Sequence, residues 1–202
     1  MDMEEYGRVK GMGYLEYCGY LQGKYGIPKR PYMTESWNRV NTISRTAEGL
    51  VVHHRYEDHA IMLSVKAHAI RHPYEWQMPE SLIYCDYLEH LLLHVLICEN
   101  PAVPAEVSGE TVGVGGVVNY IVPELNDAYS GFRSKQGWRN ICYERVLSDE
   151  EVYLLILDRF LDRRGRDKDD ATDLLTSFNA RYGIWKEENN SGIYQKIMAL
   201  IV

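Results

Sequence analysis

All seven histidines of this 202-residue chain fall between residues 53 and 94. Four of them carry a spacing with chemical content: His53 and His54 are adjacent at the end of "LVVHH", and His90 and His94 lie four apart in "CDYLEHLLLHVLI". Side chains at i and i+4 of a helix share a face, so His90 and His94 can offer imidazole nitrogens to one metal ion. Adjacent residues on a strand point to opposite sides, so His53 and His54 divide naturally between two jobs. One can complete a metal's ligand set while the other serves as a base on water beside it. Glu57 and Asp58 follow the pair, either as a further carboxylate ligand or as an acidic turn after a strand. His59, His68 and His72 share no spacing and read as loop or surface histidines. Glu89, next to His90, reads as facing water or an arginine.

The elements that must position these groups are legible nearby. "GLVVHH" is a glycine followed by β-formers, which predicts a strand, and Leu82-Ile83-Tyr84 predicts a second. The next segment has helical period, with Leu88, Leu91, Leu92, Val95 and Leu96 forming an apolar stripe. On a wheel of about 100° per residue the histidine pair lies away from the centre of that stripe, so the helix can pack by one face and present ligands on another.

"VVHH", then Ser81-Leu82 leading into a helix with His90 nine positions after Ser81 and His94 four further on, resembles the ββα-metal fold of HNH nucleases. The colicin-type DNase version is the nearest likeness, with paired histidines on its first strand and HxxxH on its helix. The resemblance spans residues 49–97 and implies an α+β chain. An HNH-like ββα-metal domain would occupy residues 1–100, and a mainly helical accessory or interaction domain residues 101–202. It implies that His53, His90 and His94 hold one divalent ion (Zn, Mg, Mn or Ni). His54 is then the general base that activates water against a phosphodiester of DNA or RNA. The family's middle asparagine, which orients the base and the loop, falls at Ser81, the catalytic position where this chain departs from the pattern. Gln77 and Glu80 are the neighbours able to substitute for it.

Composition sets the outer bounds. With 46% hydrophobic and 25% charged residues the chain is an ordinary globular sequence. No apolar run reaches the roughly 18 residues needed to span a bilayer, and "MDMEEYGRVKG" is acidic where a secretory leader is positive, which leads us to expect a cytoplasmic protein with no membrane partner. Cys18, Cys85, Cys98 and Cys142 show no CxxC spacing and read as reduced thiols. The net charge of −7 argues against indiscriminate coating of nucleic acid. Cations nevertheless concentrate at the start: residues 1–55 hold eight Lys/Arg against six Asp/Glu, and the remainder 14 against 23. Arg55, Lys29 and Arg30 are the expected substrate contacts, Arg55 because its planar fork suits phosphate oxygens. Lys24, Arg39 and Arg45, interleaved with Tyr25, Tyr32 and Trp37, read equally as a backbone-gripping surface or as a solvated tyrosine-rich face.

"GVGGVV" lacks both phosphate-loop forms and is set aside. Three helices are predicted beyond it. The first opens with Ser148 and Glu151 in capping-box spacing, the second carries Leu174, Leu175, Phe178 and Tyr182 before Gly183, and the third carries Ile193, Ile197, Leu200 and Ile201. Two functional readings remain open. One is a metal-dependent nuclease; the other is a non-catalytic protein on the same scaffold. In the latter the metal is structural and the acidic C-terminal half docks on a basic protein partner, for instance to inhibit a CRISPR-type defence nuclease or trim its guide RNA. A zinc protease is disfavoured, since HExxH is absent.

Overall fold

The computed structural model describes residues 1–104, 111–166, 174 and 187–201. It is a mixed, mostly helical α+β chain whose described sheet has two antiparallel strands, β1 (Val51–His54) and β2 (Leu82–Cys85). The register pairs Val51 with Cys85, Val52 with Tyr84, His53 with Ile83 and His54 with Leu82. Before the sheet come α1 (Met3–Val9) and α2 (Tyr14–Tyr25), and the strands are joined by a long connection of 3₁₀ turns and one short helix, α3 (Lys66–Ala69). The 33–48 stretch is irregular with two short 3₁₀ turns, as its polar composition predicts.

A single residue separates β2 from α4 (Tyr87–Glu99). That residue, Asp86, caps the helix by accepting the Glu89 amide at 2.8 Å, while the Glu89 carboxylate accepts the Asp86 amide at 2.7 Å. This reciprocal capping satisfies two donors that would otherwise be orphaned and fixes where the first turn starts, hence where His90 points. It also corrects the expectation for Glu89, which is fully buried and receives Lys24 Nζ at 2.6 Å and Tyr25 Oη at 3.0 Å from α2.

The α4 helix is buried along most of its length, with His90, Cys98 and Glu99 half-buried. The expected stripe is buried, and so are Leu93 and Ile97, which lie outside it. At roughly 1.5–3 kcal/mol for each fully buried leucine or isoleucine, this burial fixes the helix that carries two candidate ligands. α2 and β2 cover one side, and α7 (Glu150–Arg164) another. A helical segment, residues 114–121, lies against α4 and continues into α5 (Val122–Tyr129); α6 (Gly137–Glu144) follows and packs on the 3₁₀ turn at Thr46–Glu48. One apolar cluster takes in residues from α1, α2, β2, α4, α5 and α7.

Ser148 and Glu151 form no capping box. α7 begins at Glu150 with Asp149 at its cap, which puts Glu151 one residue short of the required third position, and the Ser148 hydroxyl turns to the Asp149 carboxylate at 3.2 Å. The second predicted C-terminal helix lies outside the described residues except Leu174, which is buried. The third is α8 (Glu187–Met198), with Ile193 and Ile197 buried and Leu200 and Ile201 just past its end. No described helix is long and apolar enough to cross a membrane.

Candidate metal centre

His53, Glu57, His90 and His94 converge so that one ligand atom from each lies within 4.8 Å of the others. The His53 ring stands 5.1 Å from that of His90 and 5.0 Å from that of His94, centroid to centroid, and the His90 and His94 Nε2 atoms are 3.2 Å apart. The expected ligand set is brought together, and the carboxylate alternative resolves in favour of Glu57. It lies in the 3₁₀ turn Arg55–Asp58 that follows β1, a conformation that returns its side chain toward the strand end. Its Oε2 is 3.5 Å from His53 Nδ1 and 3.4 Å from His94 Nε2. Asp58 is not in the cluster; its carboxylate takes His59 Nδ1 at 2.7 Å.

The donor chemistry fits a cation. Tyr14, the first residue of α2, has one hydroxyl proton, which goes to the Arg55 carbonyl at 2.7 Å. The Tyr14 oxygen must then accept from His53 Nε2, 2.8 Å away. This bond assigns His53 the tautomer whose Nδ1 lone pair faces the Glu57 carboxylate. A lone pair and a carboxylate oxygen facing each other repel unless a proton or cation lies between them. The Nδ1 atoms of His53, His54, His90 and His94 are all buried without a hydrogen-bond partner. For His53 the unpaired nitrogen faces Glu57, and a cation between the two would satisfy both; His90 and His94 turn Nε2 toward the cluster, so their Nδ1 atoms are not the ones a cation there would take.

The electrostatics agree. Burial drives the His53 imidazole down to about 3 against the attraction of Glu57, and burial and the neighbouring imidazoles push His90 well below its ordinary value. Burial also lowers His94, with Glu57 opposing. Burial resists ionisation of Glu57, but His53, His54 and His94 outweigh it and hold the carboxyl well below the usual range. These shifts favour the deprotonated forms that a metal ion would require.

Metal-free protein should therefore lose stability on acidification. Between about pH 6.5, where an unfolded histidine titrates, and the folded value of about 3 for His53, the unfolded chain binds more protons than the native one. Stability rises with pH in this window and falls as pH drops, by roughly 1.4 kcal/mol per pH unit for each such group. Glu57 adds in the same direction below its unfolded value. Urea unfolding in EDTA at pH 7 and pH 5 should show the lower midpoint at pH 5; equal midpoints would contradict buried neutral imidazoles.

His54 is buried at the strand end, its Nδ1 3.6 Å from Glu57 Oε1, so the neighbouring histidines approach the two oxygens of one carboxylate. Its Nε2 lies 3.4 Å from Gln77 Oε1, and the Gln77 amide is fixed by donating to the Leu63 carbonyl at 3.1 Å. Of the two residues named beside Ser81, Gln77 is the one whose side chain reaches His54. Glu80 does not fill it; its side chain is outside this network, and its carbonyl accepts from Gln22 at 3.0 Å. The Ser81 hydroxyl donates to the Glu75 carbonyl at 2.8 Å, holding the loop that leads into β2 without touching the histidines. Arg55 is half-buried, with its guanidinium near enough to Cys18 of α2 to oppose the rise of that thiol to about 12, a rise driven by burial. Lys29 and Arg30 are exposed and line a separate cleft.

Two positioning features have no clear sequence signal. Tyr14 is 39 residues before the histidine it orients. Gly116 lies against the His94 ring so closely that a Cβ built on it would fall 2.2 Å from His94 Nδ1 and Cε1. The glycines set aside as a failed phosphate loop serve this close approach: at Gly113, with φ of +85°, a Cβ would meet Cys98 Sγ and the His94 carbonyl at 2.8 Å. No family model, curated protein or solved structure matches the chain.

Proposed function

We propose that the chain is a metal-dependent nuclease of the HNH type, hydrolysing phosphodiester bonds of DNA or RNA. The observation that carries this reading is the meeting of three imidazoles and one carboxylate, from a strand end, the turn after it and the following helix, beside a further histidine that is not part of the set. His53, Glu57, His90 and His94 would hold a divalent ion. When bound, such an ion supplies positive charge that stabilises a phosphodiester passing through a pentacoordinate transition state.

The base function falls to His54. Gln77 Oε1 accepts the Nε2 proton, which leaves the Nδ1 lone pair directed at the cluster. A water held between that nitrogen and the scissile phosphate can lose its proton to His54 as its oxygen attacks phosphorus. Tyr14 keeps the His53 ring from turning its other nitrogen inward, and the Gln77 amide does the same for His54. Access is from the side of Glu57 and His90, the half-buried members of the set.

The His54→Ala protein should keep its metal stoichiometry and lose about 10²–10⁴-fold in cleavage rate, the range for a general base. The check is elemental analysis of the purified variant alongside plasmid, single-strand and structured-RNA digestion with Mg, Mn, Zn or Ni. Wild-type protein that leaves every substrate intact with every metal would overturn the reading.

A second reading is favoured by one specific feature. Four protein ligands close the coordination shell of a tetrahedral zinc ion, which is the pattern of structural sites, whereas a six-coordinate ion at the same residues keeps open positions. A zinc-loaded protein would then be a binding module whose acidic helical half engages a basic partner such as a CRISPR-type effector. His54→Ala separates the two readings, since inhibition of such a partner would survive the loss of the base.

A further inference from the structure

We propose that the cleft between the end of α2 and the outer face of β2 binds an unpaired nucleic-acid strand. The proposal rests on the nuclease reading and names the substrate form for it. The cleft encloses about 600 Å³, within the roughly 300–1,000 Å³ of sites that take small organic groups. Its walls combine phenol rings, Tyr25 and Tyr84, with aliphatic Ile27, while its mouth carries Lys29, Arg30 and Arg45.

The cations differ in availability. Arg45 is committed: it stacks over Tyr84 at 4.8 Å from the ring centroid, donates to the Tyr25 carbonyl at 2.6 Å and is paired with Glu48 through two nitrogens. Its role is to stiffen the wall, and Glu48 offsets its charge. Lys29 and Arg30 are exposed and make no ion pair with any described residue, so in a chain of net charge −7 they leave a local positive field at the cleft mouth. Fixed negative charge attached to a flat, partly apolar group is the ligand chemistry that such a lining recognises, and a nucleotide has it. Tyr84 is buried under Arg45, so the apolar contact open to a base comes from exposed Ile27 and the half-buried edge of Tyr25, and a duplex, which hides its base faces, would forgo it.

The placement also suits the reaction. Side chains alternate across a strand, and the register pairs Val52 with Tyr84 and His54 with Leu82, so Tyr84 lines the cleft from the sheet face to which His54 belongs. Tyr32, whose ring meets His54 at 4.5 Å, packs in one apolar cluster with Ile43 of the cleft lining. The cleft lining therefore shares the sheet face of the base, with Tyr32 and Ile43 packed between them.

The test measures binding, not cleavage, so it is independent of the metal centre. Fluorescence anisotropy in EDTA would follow oligothymidylate and oligouridylate of about a dozen nucleotides, within the roughly 4–16 covered by single-strand grooves, and a duplex of equal length. Wild-type protein should bind at least one single strand more tightly than the duplex, and the two oligomers tell DNA from RNA. Lys29→Glu with Arg30→Glu should weaken single-strand binding at least tenfold and reduce the salt slope by about 1.4, two phosphate contacts at roughly 0.7 each. Arg8→Glu with Lys10→Glu makes the same change of net charge at exposed positions outside the cleft and should bind as wild type. Unchanged melting midpoints would show that all variants fold. The proposal is overturned if wild type binds no strand, prefers duplex, or loses affinity equally in both variants. Binding in the cleft without cleavage under any metal would instead sink the nuclease reading and leave the cleft standing.

Discussion

Replacing His90 by alanine is expected to lower divalent-metal affinity by two or more orders of magnitude and to abolish metal-dependent cleavage. Loss of residues that merely orient a ligand typically costs 10–100-fold, and His90 is proposed as a ligand itself. Its Nε2 stands 3.2 Å from that of His94 and its ring 5.1 Å from His53, so its loss removes one of four donors from the centre of the cluster. The fold should survive. Alanine has the highest helix propensity, α4 is held by its buried leucines and by the Asp86–Glu89 cap, and removing one imidazole relieves the crowding of lone pairs that burdens the metal-free state. Isothermal titration with Zn and Mn, with melting curves in EDTA, checks both halves. A His90→Ala protein that keeps wild-type affinity would refute the metal centre. One that binds metal weakly yet melts within about 1 kcal/mol of wild type in EDTA would separate ligation from folding.

Local patterns make three of the four members of the cluster legible. The doublet His53-His54 after β-formers and the four-residue spacing of His90 and His94 are short-range signals, and the capped helix and two short strands that carry them are short-range too. Glu57 is visible only as an alternative, since what brings it in is a 3₁₀ turn, and no pattern in "RYED" separates that turn from an ordinary loop. Strand alternation alone sends the two rings of the histidine pair to opposite faces, but the turn carries a carboxylate back to meet both. Long-range partners are out of reach: Tyr14 is one of sixteen tyrosines, and Gln77 acts through an amide fixed by Leu63. The burial of Glu89 depends on Lys24 and Tyr25 arriving from another helix. The helix wheel makes α4 one-sided because "VGVGG" carries no sign that its glycines let a second segment lie against the His94 side.

That glycine contact makes the second large prediction. In Gly116→Ala the new methyl would lie 2.2 Å from two atoms of the His94 ring and 2.6 Å from a third, well inside any tolerated contact. The ring is buried, so it cannot swing freely into solvent. Either His94 turns its Nε2 away from Glu57 and His90, or the 114–121 segment lifts from α4, and the latter would uncover Val117 and Ile121, both buried in the main apolar cluster. Overpacking of this kind costs typically 1–3 kcal/mol, and a displaced imidazole should cost metal affinity at least about tenfold, by comparison with orienting residues. Gly115→Ala supplies the contrast: its methyl would meet only Asn119 Nδ2 at 3.6 Å, an ordinary contact. Within a helical segment that change should be neutral or slightly stabilising, since alanine has less backbone entropy to lose than glycine. Metal titration and thermal melting of the two variants, one residue apart and each adding a single methyl, therefore read the contact directly. Equal behaviour of the pair would mean that the glycine-rich segment does not press on His94, and close approach to that ring could no longer be the reason for its glycines.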